Sequence, residues 1–145
     1  MTPEAPVRVV LDTNIVLDLW LYRDPATPVL LEALENKSVQ WLATSVMRDE
    51  LERVLAYTHI AQRLAFSQLT ARDILAQFDA YAQLMPIASK ALYVCKDGDD
   101  QKFIDLAAEH KTQIISKDKA VLTMRNRMAR LGVAVGKVFP VALPV

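Results

Sequence analysis

The chain has 145 residues, of which 52% are apolar, 23% are charged and 3 are glycine, figures that exclude a disordered, collagen-like or linker sequence. One domain of this length buries roughly two-thirds of its unfolded surface, so a sizeable core is expected across residues 1–145. Formal net charge is zero, and the single cysteine, Cys95, excludes an internal disulfide and any zinc site built on several thiolates.

Arg8 to Asp12 is a short apolar run with β-branched residues, read as a buried strand that ends at an acid. Thr27-Pro28 supplies a cap and a proline at the first helical position, opening a helix to about Asn36. Val39 to Ala43 is a second strand. Ser45 caps a helix running to about Tyr57, and Ile60 to Ser67 is a short helix. Thr70 caps another, to about Leu84, with Asp73 in its first turn and Pro86 as its stop. Leu92 to Cys95 reads as a third strand, followed by a turn at Asp97-Gly98-Asp99 and a helix to His110. Thr112 to Ser116 is a fourth strand, Lys119 to Leu131 a helix with Gly132 beyond its end, and Val133 to Phe139 a fifth strand.

Strands alternating with helices imply parallel strands joined by right-handed crossovers, in a sheet covered on both faces. Ligands of such folds bind beyond the carboxyl ends of the strands. No apolar run approaches the ~18 residues of a membrane span. The start, Met1-Thr2-Pro3-Glu4, lacks the basic and apolar regions of a signal peptide, so a soluble, reducing, cytoplasmic setting is expected. Charge is uneven. Residues 1–110 hold 16 of the 17 acids, whereas residues 111–145 hold seven bases against Asp118 alone. An acidic body with a basic end suits a site that gathers cations and meets a polyanion, although Arg125, Arg127 and Arg130 can equally solvate a helix face.

Position separates the acids that can do chemistry from the rest. Asp12 closes the first strand, and Asp118 lies two residues past the fourth, so parallel strands put both on one sheet edge. Val46, Glu50 and Val54 form one row of a helix, and Met47, Leu51 and Leu55 form the adjoining row. Glu50 therefore falls within an apolar stripe, while Asp49 and Glu52 point to solvent. Asp100 shares its helical face with Phe103, Ile104 and Ala107, and Asp105 lies about 140° away and reads as exposed. Asp97 and Asp99 sit at the helix start and can cap it. Four carboxylates facing one site, Asp12, Glu50, Asp100 and Asp118, cannot all stay ionised without a counter-charge. Oxygen-only ligation selects a hard cation, Mg²⁺ or Mn²⁺. Water activated by such an ion can attack a phosphate. The plainer alternative is that acids at strand ends and helix starts are ordinary caps.

Other polar and aromatic residues have plain readings. Asp18 and Asp24 read as surface or turn positions, and Trp20, Tyr22 and Trp41 as packing rather than base-stacking platforms. Cys95 reads as a small buried residue. Lys117 and Lys119, flanking Asp118, can meet a phosphate or balance the acids.

Val10 to Leu17, with Asp12-Thr13-Asn14 at its centre, resembles the opening motif of the PIN-domain ribonucleases, which include the toxins of VapC-like toxin–antitoxin pairs. Asp49 to Leu55, Asp97 to Ala107 and Ile114 to Lys119 resemble the family's next three acid-bearing blocks, in the family's order, over about residues 8–122. The paired Asp99-Asp100 suits a toxin-component branch better than the shortest toxins. The resemblance implies a PIN-like three-layer α/β/α fold with a central parallel sheet in order 3-2-1-4-5. It implies metal-dependent cleavage of single-stranded RNA, with Asp12, Glu50, Asp100 and Asp118 holding Mg²⁺ or Mn²⁺. Asn14 is expected to orient Asp12 or water through its amide, Ser116 to bond near Asp118, and Asp97 or Asp99 to join through water. A small antitoxin protein is the partner the family suggests, and a homodimer stays open. Two other readings stay open: a regulatory or binding domain that keeps the fold without catalysis, and a Mg²⁺-dependent phosphohydrolase of small molecules. A phospho-acceptor receiver domain is disfavoured because Asp12-Thr13-Asn14 lacks paired acids at the first strand.

Overall fold

The computed structural model describes residues 6–144, so the segment Met1 to Glu4 lies outside it. Five parallel strands form its sheet: β1 (Val7–Leu11), β2 (Val39–Ala43), β3 (Ala82–Leu84), β4 (Gln113–Ile115) and β5 (Ala134–Gly136). Their order is 3-2-1-4-5, as the sequence resemblance implied. Helices flank the sheet: α1 (Thr13–Leu17), α2 (Pro28–Glu35), α3 (Ser45–Leu55), α4 (Thr58–Phe66), α5 (Ala71–Tyr81), α6 (Gln101–His110), α7 (Lys119–Leu122) and α8 (Arg125–Ala129). A π-helical turn, Asp18–Tyr22, continues α1. None of the helices among the described residues is long and apolar enough to cross a membrane.

The central strands carry the core. Val9, Val10, Leu11, Ile114 and Ile115 are buried, and α6 packs over them with Phe103, Ile104, Leu106 and Ala107. Register sets the site. Leu11 pairs with Ile115, and the Asp12 N–H donates to the Ile115 carbonyl at 3.1 Å. The chain therefore leaves β1 and β4 side by side, with Asp12 next to Ser116.

Two segments depart from the sequence expectation. The third strand is Ala82–Leu84, at the end of the expected helix, and not Leu92 to Cys95. Pro86 accounts for part of this, because a residue preceding proline is pushed toward extended backbone. The Met85 N–H continues the pairing by donating to the Ala43 carbonyl at 2.8 Å. The segment 91–95 finds its partners on α6 instead. Ala91 N–H donates to Asp105 Oδ1 at 2.8 Å, and Cys95 N–H to Gln101 Oε1 at 2.6 Å. Gln101 Nε2 donates to the Tyr93 carbonyl at 3.1 Å. With its polar backbone satisfied by side chains, this stretch has no need of the sheet, and Leu92 and Val94 face solvent. Asp105 is accordingly half-buried rather than exposed.

Smaller differences follow from caps. Thr44, not Ser45, caps α3, accepting from the Met47 N–H at 3.4 Å. Thr70 and Asp73 form a reciprocal capping box at α5, as their spacing suggests. The expected helix from Lys119 to Leu131 breaks at Thr123 and Met124 into α7 and α8. Arg125, Arg127 and Arg130 are exposed there.

Helix α3 turns slightly from its expected setting. Met47, Leu51 and Leu55 are buried, whereas Val46 is 40% exposed and Val54 half-buried. Glu50 therefore lies on the border of the apolar stripe, not within it. We expect Leu51→Ala to lower stability by about 2–5 kcal/mol, and Val46→Ala by no more than about 0.5 kcal/mol. Chemical denaturation of the two variants measures the contrast; equal losses would contradict this setting of the helix.

Candidate metal centre

Three carboxylates meet beyond the carboxyl ends of β1 and β4. Asp12, Asp100 and Asp118 each offer an oxygen, and these oxygens all lie within 4.8 Å of one another. Asp12 follows β1 and caps α1, its Oδ1 accepting from the Asn14 N–H at 2.7 Å. Its Oδ2 accepts from the Ser116 hydroxyl at 2.6 Å. The same Ser116 oxygen accepts from the Asp118 N–H at 3.0 Å. One fully buried hydroxyl thus ties two of the three acids together. Asp118 caps α7 in the same way, with Oδ1 accepting from the Ala120 N–H at 2.8 Å. Asp100 arrives from the other side, at the end of a 3₁₀ turn spanning Gly98–Asp100.

Burial makes these charges uncomfortable. Asp12 is 4% exposed and Asp100 8%. Burial raises the Asp12 carboxyl above its ordinary value, against the lowering effect of the Ser116 and Asn14 hydrogen bonds. Burial, and then the neighbouring charge of Asp118, pushes Asp100 up to about 7. Its buried Oδ2 has no hydrogen-bond partner among the described residues. A buried carboxylate oxygen without a donor is strongly unfavourable unless it takes up a proton or a cation meets it, and between Asp100 and Asp118 a proton or a cation would serve. The residues present therefore fit a divalent ion, and an all-oxygen donor set suits Mg²⁺ or Mn²⁺ better than zinc.

The structure brings together three of the four expected acids. Glu50 reaches the same region from α3, but its carboxylate is engaged elsewhere. Its Oε1 accepts from Lys102 Nζ at 2.8 Å, and its Oε2 from the Thr13 hydroxyl. Asn14 is exposed and holds Asp12 through its backbone N–H rather than through its side-chain amide. Asp97 and Asp99 are exposed and shape the turn: Asp97 Oδ1 accepts from the Asp99 N–H at 3.0 Å. Asp18, expected at the surface, is 5% exposed and pairs with Lys117 Nζ at 2.5 Å. That ion pair ties the turn after α1 to the loop carrying Asp118, and it commits Lys117 to a structural partner. Lys119 remains exposed beside Asp118.

Thr13, Asp18 and Lys102 are the neighbours of the centre that sequence reasoning did not select. For Thr13 the signal was its adjacency to Asp12. Lys102 pairs with a residue 52 positions away, and nothing in its local spacing announces that. Trp41, by contrast, packs as expected: it is buried, stacks on Trp20 at 5.9 Å and meets Phe78 edge-on.

The raised Asp100 carboxyl has a consequence for stability. Its folded value of about 7 exceeds the ordinary 3.8, so the folded protein holds a proton that the unfolded chain releases. In chelator, the contribution of this group to stability is full below pH about 4 and is lost as pH rises through about 7. Asp100→Asn removes most of that decline. Thermal unfolding at several pH values measures it, and a wild-type curve rising over this interval would contradict the assignment.

Comparison with known proteins places this geometry in a family. An uncharacterized protein of Methanocaldococcus jannaschii is 25% identical over 123 residues, covering 83% of this chain and 76% of its own length. The PIN domain family matches residues 8–120, a span that opens on β1 and closes on α7, just past Asp118. With its 3-2-1-4-5 sheet and its acids gathered at the carboxyl edge, the chain belongs to the PIN domain family.

Proposed function

We propose that the chain is a metal-dependent endoribonuclease that cleaves single-stranded RNA. The observation that carries this reading is the unpartnered, buried Asp100 Oδ2 beside Asp12 and Asp118. Acids that serve only as caps have their oxygens satisfied by backbone donors, and Asp100 does not. Asp12, Asp100 and Asp118 would hold Mg²⁺ or Mn²⁺. When bound, the ion supplies the charge that lets the three carboxylates ionise together and the Lewis acidity for attack of water on a phosphodiester. The chain's own residues orient the site. Ser116 fixes Asp12 and the Asp118 backbone, while the Asn14 and Ala120 N–H groups each hold one carboxylate oxygen. Each bonded oxygen keeps a second lone pair for the ion. Lys119, exposed beside Asp118, offers a cation to the substrate backbone.

The ordered set of acid-bearing motifs supports a narrower role, the toxin of a toxin–antitoxin pair in a cytoplasmic setting, with a small antitoxin protein covering the acidic edge. A labelled single-stranded RNA incubated with the chain and Mg²⁺ or Mn²⁺ tests the reading. Cleavage is expected, is lost in chelator, and falls about a hundredfold in Asp100→Asn with circular dichroism unchanged. Unchanged turnover in that folded variant would refute the proposal. Hydrolysis of a generic phosphomonoester without RNA cleavage would favour a small-molecule phosphohydrolase instead.

A further inference from the structure

Lys102 projects from the first turn of α6, two residues past Asp100. Its ammonium donates to Glu50 Oε1 at 2.8 Å and to the Asp99 carbonyl. It also stands 4.9 Å from the centre of the Phe103 ring. The two side chains are only 20% and 17% exposed, so this is not the weak, solvated pair of a protein surface. Removing either partner would leave a half-buried charge without compensation.

Its place matters more than its strength. The Thr13 hydroxyl donates to the second Glu50 oxygen, and Thr13 follows Asp12 in the chain. The Glu50 charge is among those that raise Asp12. The Lys102–Glu50 pair therefore adjoins the triad, with Asp99 binding Lys102 on one side and Thr13 binding Glu50 on the other. Both Glu50 oxygens already have a donor. A divalent ion at Glu50 would have to displace an ammonium that two oxygen partners and an aromatic face hold in place.

We propose that Lys102 is the resident second cation of this centre: the triad would take one divalent ion, and the Lys102 ammonium supplies the positive charge at Glu50 in place of another. This assigns Glu50 a different part from the metal-ligand role that the family resemblance implied. Glu50 positions Lys102, and Lys102 neutralises the fourth acid without a metal. The proposal rests on the metal-centre reading above and not on the identity of the substrate.

Calorimetric titration with Mn²⁺ alone, without RNA, tests it on the full chain. The wild type is expected to bind one ion. Asp118→Asn weakens that ion roughly tenfold or more, whereas Glu50→Gln, which leaves the Lys102 charge unpaired beside the triad, weakens it by a smaller factor. Lys102→Arg keeps one ion, and Lys102→Met uncovers Glu50 and admits a second. Circular dichroism verifies the fold of each variant, and Glu50→Gln carries the test if Lys102→Met does not fold. Two ions bound by the wild type, no ion bound, or a loss in Glu50→Gln as large as in Asp118→Asn would overturn the proposal. One ion in this pattern without RNA cleavage would sustain it while removing the ribonuclease reading. Two ions with RNA cleavage would do the reverse.

Discussion

A single hydroxyl organises the acidic edge of this protein. Ser116 donates to Asp12 and accepts from the Asp118 amide, and it can do both because the register of β1 and β4 sets their ends side by side. Shift that register by one residue and the buried side chains of a strand exchange faces, taking the hydroxyl away from both acids. The core of Val9, Val10, Ile114 and Ile115 therefore does more than exclude water. It fixes the alignment on which the distance between two mutually repelling carboxylates depends.

Charge around the site is divided among distinct partners. Lys117 goes to Asp18 and Lys102 to Glu50, which leaves the triad of Asp12, Asp100 and Asp118 without a lysine bonded to it among the described residues. The protein thus balances the acids at the border and leaves the central ones able to take a diffusible cation. Asp100 shows the result most clearly, with its carboxyl raised and an oxygen left bare.

Much of this was legible in the sequence, for a physical reason. Short apolar runs ending in Asp12, or closely followed by Asp118, show where a parallel strand stops, and a strand's end fixes the edge on which its next residue lies. Asp100 was legible from its helical face. Glu50 was only half legible, because two adjoining apolar rows of α3 compete and periodicity alone does not say which turns inward. The third strand was misread because Leu92 to Cys95 has the right composition, while Ala82–Leu84 runs on from a helix. What separates them is where each segment's backbone finds its hydrogen bonds. Gln101 and Asp105, 6 to 14 residues further along, supply donors and acceptors to the first, a pairing that composition and periodicity do not reveal. The Lys102–Glu50 and Lys117–Asp18 pairs were hidden for the same reason.

Asp12 and Asp118 each start a helix as well as lining the acidic edge. Asparagine caps a helix about as well as aspartate does, so architecture and charge can part company at Asp118, whose cap uses a single oxygen, more readily than at Asp12, whose second oxygen also receives the Ser116 hydroxyl. Exchange of one oxygen for an amide nitrogen would keep the turn and discard the anion. Descendants of such a chain could lose a negative charge of the acidic edge by a single codon change and still inherit an intact scaffold, free to drift toward a role in recognition. Helix caps that also line an acidic edge thus make this fold evolutionarily forgiving, in that losing the anion does not entail losing the shape.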